Sequence, residues 1–139
     1  MAHWLFKSEP SAWSFEKLAH LGEKGTDWSG VRNHSAKLNM QAMKVGEQGF
    51  FYHSNEGKAI VGIVEVCKAY RPDPSDASGK FGMVDIRAVR PLPRPVTLEA
   101  VKAEKRLIDM ALVTNSRLSV QPVTEAEWAL VLRISREET

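Results

Sequence analysis

Residues 59–67, Ala-Ile-Val-Gly-Ile-Val-Glu-Val-Cys, constrain the fold more than any other part of the chain. The run is rich in β-branched side chains and reads as a strand. Both of its faces are largely apolar, the pattern of a strand central to a closed or covered sheet. The preceding run, Gln48-Gly49-Phe50-Phe51-Tyr52-His53, is a second strand, and Asn55-Glu56-Gly57-Lys58 supplies the turn of a hairpin.

The remaining elements follow from caps and breakers. Trp4-Leu5-Phe6 is a short strand, and Pro10 pushes Glu9 toward an extended conformation. Ser14 caps a helix over 15–21, with Phe15, Leu18 and Leu21 on one face and Gly22 as its stop. Asn33 caps the next helix, where Leu38, Met40 and Met43 fall near helical spacing before Gly46. A loop is expected over 71–82. Residues 83–89 alternate as a strand that Pro91, Pro93 and Pro95 end. Thr97 caps a short helix, and a second helix is expected over 105–112. Residues 118–123 are extended. Thr124-Glu125-Ala126-Glu127 is a capping box opening a last helix to about Ile134. Strands separated by helices and short hairpins imply a small α+β domain around a curled sheet, one unit over 1–139. A doubly wound α/β fold fits less well, since long crossover helices and the Gly-rich fingerprint are missing.

Composition narrows the function classes. The formal charge is +2 and the pI about 8.8, which permits nucleic-acid binding without demanding it. No apolar run approaches the ~20 residues of a membrane span. The start, Met1-Ala2-His3-Trp4-Leu5-Phe6-Lys7, reads as a strand and not as a secretion signal. The lone Cys67 can form neither an internal disulfide nor a Cys-based zinc site. A reduced core thiol is expected, hence a cytoplasmic location, with nucleoid or nucleus as alternatives.

No catalytic signature stands out. His3, His20, His34 and His53 are scattered without a ligand pair, so no metal and no cofactor are expected. There is no Gly-x-Ser-x-Gly elbow and no phosphate-cradling loop. Paired catalytic carboxylates have no clear candidates, although Glu9 and Asp27 could approach in space. What remains is a binding constellation: Lys7 and Ser8 at the end of the first strand, Trp28 and Ser29 before a helix start, and Tyr52, His53, Ser54 and Asn55 closing a strand. Arg117, Leu118, Ser119 and Gln121 form a polar extended piece. An aromatic face can stack on a nucleobase while hydroxyls, amides and backbone N–H groups read its edges. On pattern alone, Trp28 fits a core position as well as a ligand wall. Asn33 fits a helix cap, Ser8 a strand end, Lys7 and Arg32 solvated charges, and Gln121 an extended residue before Pro122.

At these residues the chain resembles the EVE domain family. The ordered blocks are Trp4-Leu5-Phe6-Lys7-Ser8-Glu9-Pro10, Trp28-Ser29-Gly30-Val31-Arg32-Asn33, Met43-Lys44-Val45-Gly46 and the runs over 50–55, 61–66 and 117–123. They cover nearly the whole length. The resemblance implies a PUA-like fold, a small, mostly antiparallel β-barrel with helices round it, similar to YTH domains that hold a methylated adenine in an aromatic cage. It implies a non-enzymatic module, acting as a monomer, that recognises a modified base of DNA or RNA such as methylated cytosine or adenine. Carried over, Trp28 is one wall, with Ser8 and Ser29 beside it, Asn33 at the helix mouth, and Lys7 near enough to the entrance to meet a phosphate. Arg32 is a further candidate. Phe81 or Tyr70, in the loop after the strong strand, is the candidate second wall, and Tyr52, His53, Ser54, Leu118, Ser119 and Gln121 supply further contacts. The family often has Tyr-Pro-Asp in that loop, where this chain places Arg71 between Tyr70 and Pro72-Asp73. Two alternatives use the same pocket. One is a nucleoside amidohydrolase like that of the distantly related ASCH domains, with Lys7 and Glu9. The other is a small-molecule sensor.

Overall fold

The structure is a computed structural model describing residues 2–8, 13–54 and 57–137. Glu9 and Pro10, and Asn55 and Glu56 of the expected hairpin turn, lie outside the described residues. Six strands form one sheet: β1 (His3–Ser8), β2 (Thr26–Asp27), β3 (Gln48–His53), β4 (Ala59–Pro72), β5 (Gly82–Thr97) and β6 (Val120–Val123). Their order is β2-β5-β4-β3-β1-β6. β1 and β3 run parallel, Leu5 beside Phe50 and Lys7 beside Tyr52, and every other pairing is antiparallel. Among the described residues β2 and β6 do not pair, so the mostly antiparallel sheet expected from the resemblance is present but does not close into a barrel there.

Among the described residues five α-helices surround the sheet: α1 (Phe15–His20), α2 (His34–Ala42), α3 (Leu98–Ala103), α4 (Ala111–Thr114) and α5 (Glu125–Arg136). The caps read from sequence are in place. Ser14, Asn33 and Thr97 accept from the backbone N–H three residues on, and Thr124 and Glu127 form the reciprocal box. The expected helix over 105–112 is instead a 3₁₀ turn, Lys105–Leu107, followed by the four-residue α4. Leu21 and Leu38 face solvent, while Phe15, Leu18, Ala36, Met40 and Met43 carry the buried faces.

The sheet is covered on both faces, as the apolar central strand requires. One core gathers Trp4, Phe6, Phe51, Val64, Val84 and Ile86 under α1 and α2. The other gathers Leu5, Phe50, Tyr52, Ile60, Ile63 and Leu92 under α5. Adjacent residues of β1 and β3 thus feed opposite cores, as a period of two demands. Gly62 has a packing reason: a Cβ there would sit 2.3 Å from the Phe15 ring, so glycine lets α1 lie against the sheet.

Two strands are longer than their sequence suggests. β4 runs on to Pro72, and β5 continues through all three prolines to Thr97. Register shifts between Ile60/Gly62 and Ile63/Val64 absorb the mismatch as bulges. The β4–β5 register is irregular over this stretch, Gly62 pairing with Pro91 and Ile60 with Val96, so residues between them lie outside the regular ladder, where a missing donor costs little.

Candidate nucleic-acid interface

The residues after β2 build the site. Trp28 N–H donates to Val84 O at 2.8 Å, prolonging the β2–β5 ladder by one bond before the chain turns away. Gly30 adopts φ +84°, a left-handed conformation open to glycine, and α2 begins under the Asn33 cap. The indole of Trp28 is 8% exposed. It meets Phe6 at 5.6 Å and Phe51 at 5.9 Å, both edge-to-face. It therefore belongs to the core and still borders a cavity of about 320 Å³, near the lower limit of ~300 Å³ for ligand clefts.

Trp13 lines the same cavity, with Lys7, Ser8, Ser29, Arg32 and Ser119. It comes from the segment leading into α1, and its carbonyl accepts from Ser8 Oγ at 2.9 Å. Residues 27–32 follow the β2 edge, Ser119 precedes β6, and Lys7 and Ser8 end β1. The cleft thus occupies the gap between the two unpaired edges of the curled sheet. Asn39 Nδ2 donates to Val120 O at 2.8 Å and holds α2 against the β6 side of that gap.

The rim is tied down by Asp73, 2% exposed, from the loop between β4 and β5. Its Oδ2 accepts from Gly30 N–H at 2.8 Å and Arg32 Nη1 at 3.2 Å. Its Oδ1 accepts from Ser75 N–H at 2.8 Å and Ser75 Oγ at 2.6 Å. Burial pushes the Asp73 carboxyl up, but these hydrogen bonds outweigh it and hold it well below the ordinary carboxylate range. Arg32 is consequently committed, to Asp73, to Ser75 Oγ at 3.1 Å and to Val31 O.

Of the residues expected from sequence, Lys7, Ser8, Trp28, Ser29, Arg32 and Ser119 meet at the cleft. The others lie elsewhere. The Asn33 side chain caps α2, accepting from Ala36 N–H at 2.9 Å. Phe81 packs beside Arg32 and Lys37, whose cationic groups are 5.9 and 5.8 Å from its ring, and is not among the residues lining the cavity. Tyr70 packs against the core beside Gly82. His53 accepts from Phe15 N–H at 3.1 Å through Nε2. Leu118 is core. Gln121 pairs with Leu5 across β1 and β6, which puts it on the opposite face. There it is fully buried, donating to Asn115 O and Leu118 O. Tyr52 and Ser54 line a separate cavity.

The residue missed was Trp13. Its sequence signal was an aromatic directly before a helix cap and after a proline-extended stretch, which locally reads as a hydrophobic contact for α1. Glu47 was missed as well. It is 4% exposed and accepts from Trp4 Nε1, Lys44 N–H and Ala2 N–H. Burial opposes its charge, yet those donors keep its carboxyl below the usual range.

The EVE domain family model matches residues 2–134. The chain belongs to the EVE domain family. Human thymocyte nuclear protein 1 is 33% identical over 99% of this chain and 75% of its own length. A solved structure from Rhodopseudomonas palustris is 59% identical, with TM-score 0.93, over 99% of this chain and 97% of that one. Human THYN1 in complex with 5-methylcytosine containing DNA is 34% identical, with TM-score 0.93, over all of both chains. A Zygosaccharomyces rouxii YTH domain in complex with N6-methyladenosine RNA shares the fold at TM-score 0.59 and 19% identity, over 99% of this chain and 86% of that one.

Proposed function

We propose that this EVE domain is a non-enzymatic reader of a modified nucleobase, held in the cleft between Trp13 and Trp28. The observation that carries the reading is two tryptophans lining one cavity at the open seam of the sheet, beside the hydroxyls of Ser29 and Ser119. The similarity to human THYN1, solved with 5-methylcytosine containing DNA, supports it. A base must leave its stack to enter, at a cost of a few kcal/mol. Stacking on an aromatic ring returns about 1–3 kcal/mol per base, and edge hydrogen bonds add to it. A single buried methyl contributes about 0.8 kcal/mol, roughly fourfold in affinity, so discrimination depends on a close fit.

The test is titration of tryptophan fluorescence with an oligonucleotide carrying 5-methylcytosine. Trp13 is only partly buried where it packs against the core, so the Trp13→Ala protein is compared with the parent by circular dichroism before it is titrated. The substitution is expected to weaken binding by roughly 5- to 150-fold, the loss of one stacking face. A folded Trp13→Ala protein with parental affinity would refute the reading.

One observation favours the enzymatic alternative: burial lowers the Lys7 pKa, as a nucleophilic lysine requires. Against it, the ammonium donates to Ser116 O and stands 5.7 Å from the Tyr52 ring centre. A product assay with acetylated cytidine decides this alternative.

A further inference from the structure

Lys7 borders a second cavity, of about 200 Å³, lined also by Tyr52, Ser54, Lys58, Leu98 and Ser116. It opens on the other side of the β1 end, because Lys7 and Ser8 are consecutive strand residues and turn to opposite faces. Two lysines, two serines and a tyrosine line it, and no carboxylate is among its lining residues within the described part of the chain. Tyr52 is 3% exposed. Its ring packs in the core with Leu5, Phe50 and Ile60, and the residue lines this cavity as well. The Lys7 ammonium spends one of its three donors on Ser116 O. Spare donors and positive charge around a hollow able to hold several waters' worth of volume, at about 30 Å³ each, describe an anion site.

We propose that this cavity binds a backbone phosphate of the nucleic-acid strand whose modified base enters the tryptophan cleft. The assignment rests on the base-reading role. Lys7 touches both cavities, so a strand crossing the end of β1 sets a base on one side and a phosphate on the other. An anion also relieves the cost of burying Lys7, whose pKa burial lowers.

The probes are a 5-methylcytosine oligonucleotide, the free 5-methylcytidine nucleoside and inorganic phosphate. Lys58→Gln is expected to weaken oligonucleotide binding about fivefold at 0.1 M salt. It also reduces the slope of log K against log salt by about 0.7–0.9, one phosphate contact. A single neutral methylphosphonate linkage beside the modified base weakens the parent at least as much, and weakens Lys58→Gln less than the parent, since only Lys7 is left to lose its partner. Tyr52→Phe, which keeps the ring, weakens the oligonucleotide as well. The nucleoside has no phosphate and binds parent and variants alike. Phosphate titration shifts the Ser54, Lys58 and Ser116 amides in NMR spectra of the parent.

Parental affinity and salt slope in both variants would overturn the assignment. So would a loss of nucleoside binding in Lys58→Gln, which would report damage to the tryptophan cleft. Failure of the base reading shows separately, as indifference to Trp13→Ala, while the phosphate titration still decides whether this cavity takes an anion.

Discussion

Replacing Asp73 by Asn tests whether the rim of the cleft is held by one buried carboxylate. Each of its two oxygens accepts two hydrogen bonds, Oδ2 from Gly30 and Arg32 and Oδ1 from Ser75. Asn keeps the shape and one oxygen but presents an NH₂ to whichever pair of donors the other oxygen served. A buried donor left without a partner costs about 1–3 kcal/mol. Two such donors give a ceiling of roughly 6 kcal/mol. The Arg32 side chain is 39% exposed and can turn to water, so its share is discounted. About 2–4 kcal/mol of destabilisation remains. In urea, at a typical slope of about 2 kcal/mol/M, the midpoint falls by roughly 1–2 M. Arg32→Gln, which removes only the exposed partner, costs under about 1 kcal/mol. The pH dependence carries a sign. The folded carboxyl is held below its unfolded value of about 3.9, so its stabilisation is complete above that value and is lost as pH falls below it. Asp73→Asn removes this part of the acid sensitivity. A midpoint within about 0.3 M of the parent, with an unchanged acid limb, would show that the loop between β4 and β5 does not clamp the turn over 28–32.

Trp28→Ala is expected to lose about 3–5 kcal/mol of stability, because the indole packs on Phe6 and Phe51 and is nearly buried. Thermal denaturation checks this, and a loss under 1 kcal/mol would contradict its place in the core. His53 accepts from Phe15 N–H and therefore must be neutral; burial lowers its pKa, with Glu16 opposing weakly. Its unfolded value is about 6.5, so stability is full above that and declines as pH falls through it, where the unfolded chain takes up a proton that the folded one refuses. His53→Gln, whose amide oxygen can accept the same bond, is expected to shrink the drop in melting temperature between pH 7 and pH 5; an identical drop would exclude the assignment.

Features decided by a few neighbouring residues were legible in the sequence. Caps at Ser14, Asn33, Thr97 and Thr124 follow from a side chain reaching three residues ahead, and each formed. The strand of residues 48–53 emerged with the same limits, for the same reason of local alternation. Features decided by a distant partner were not legible. β2 has two residues and is a strand only because β5 lies beside it. Trp13 faces the Trp28 cleft only because β1, α1 and β2 bring two remote segments together. Phe81 or Tyr70 was the candidate second wall from its place in the loop; Asp73 of the same loop bonds Gly30 and Arg32, and Phe81 lies beside Arg32 without lining the cavity. Gln121 and Tyr52 could have been separated from the cleft by period two alone, since Val120 and Phe51 beside them point to the core that contains Trp28.

The open seam connects fold and site. An unpaired strand edge exposes backbone donors and acceptors and invites association. Here β2 is too short to offer much edge, and α2 satisfies Val120 O on the β6 side through Asn39. Had the two edges met, they would have recovered a few ladder hydrogen bonds, each worth about 1 kcal/mol net. The same closure would have filled the space between Ser119 and the segment over 27–32, where the cleft lies. The fold therefore forgoes a small gain in pairing and keeps two indoles beside a hollow of base-sized dimensions. Its rim is then held by side-chain bonds from Asp73 in place of strand pairing. This accounts for a buried, charged residue in a loop with no contact to the cavity: a seam without a ladder needs another source of rigidity, and a carboxylate accepting four hydrogen bonds supplies it.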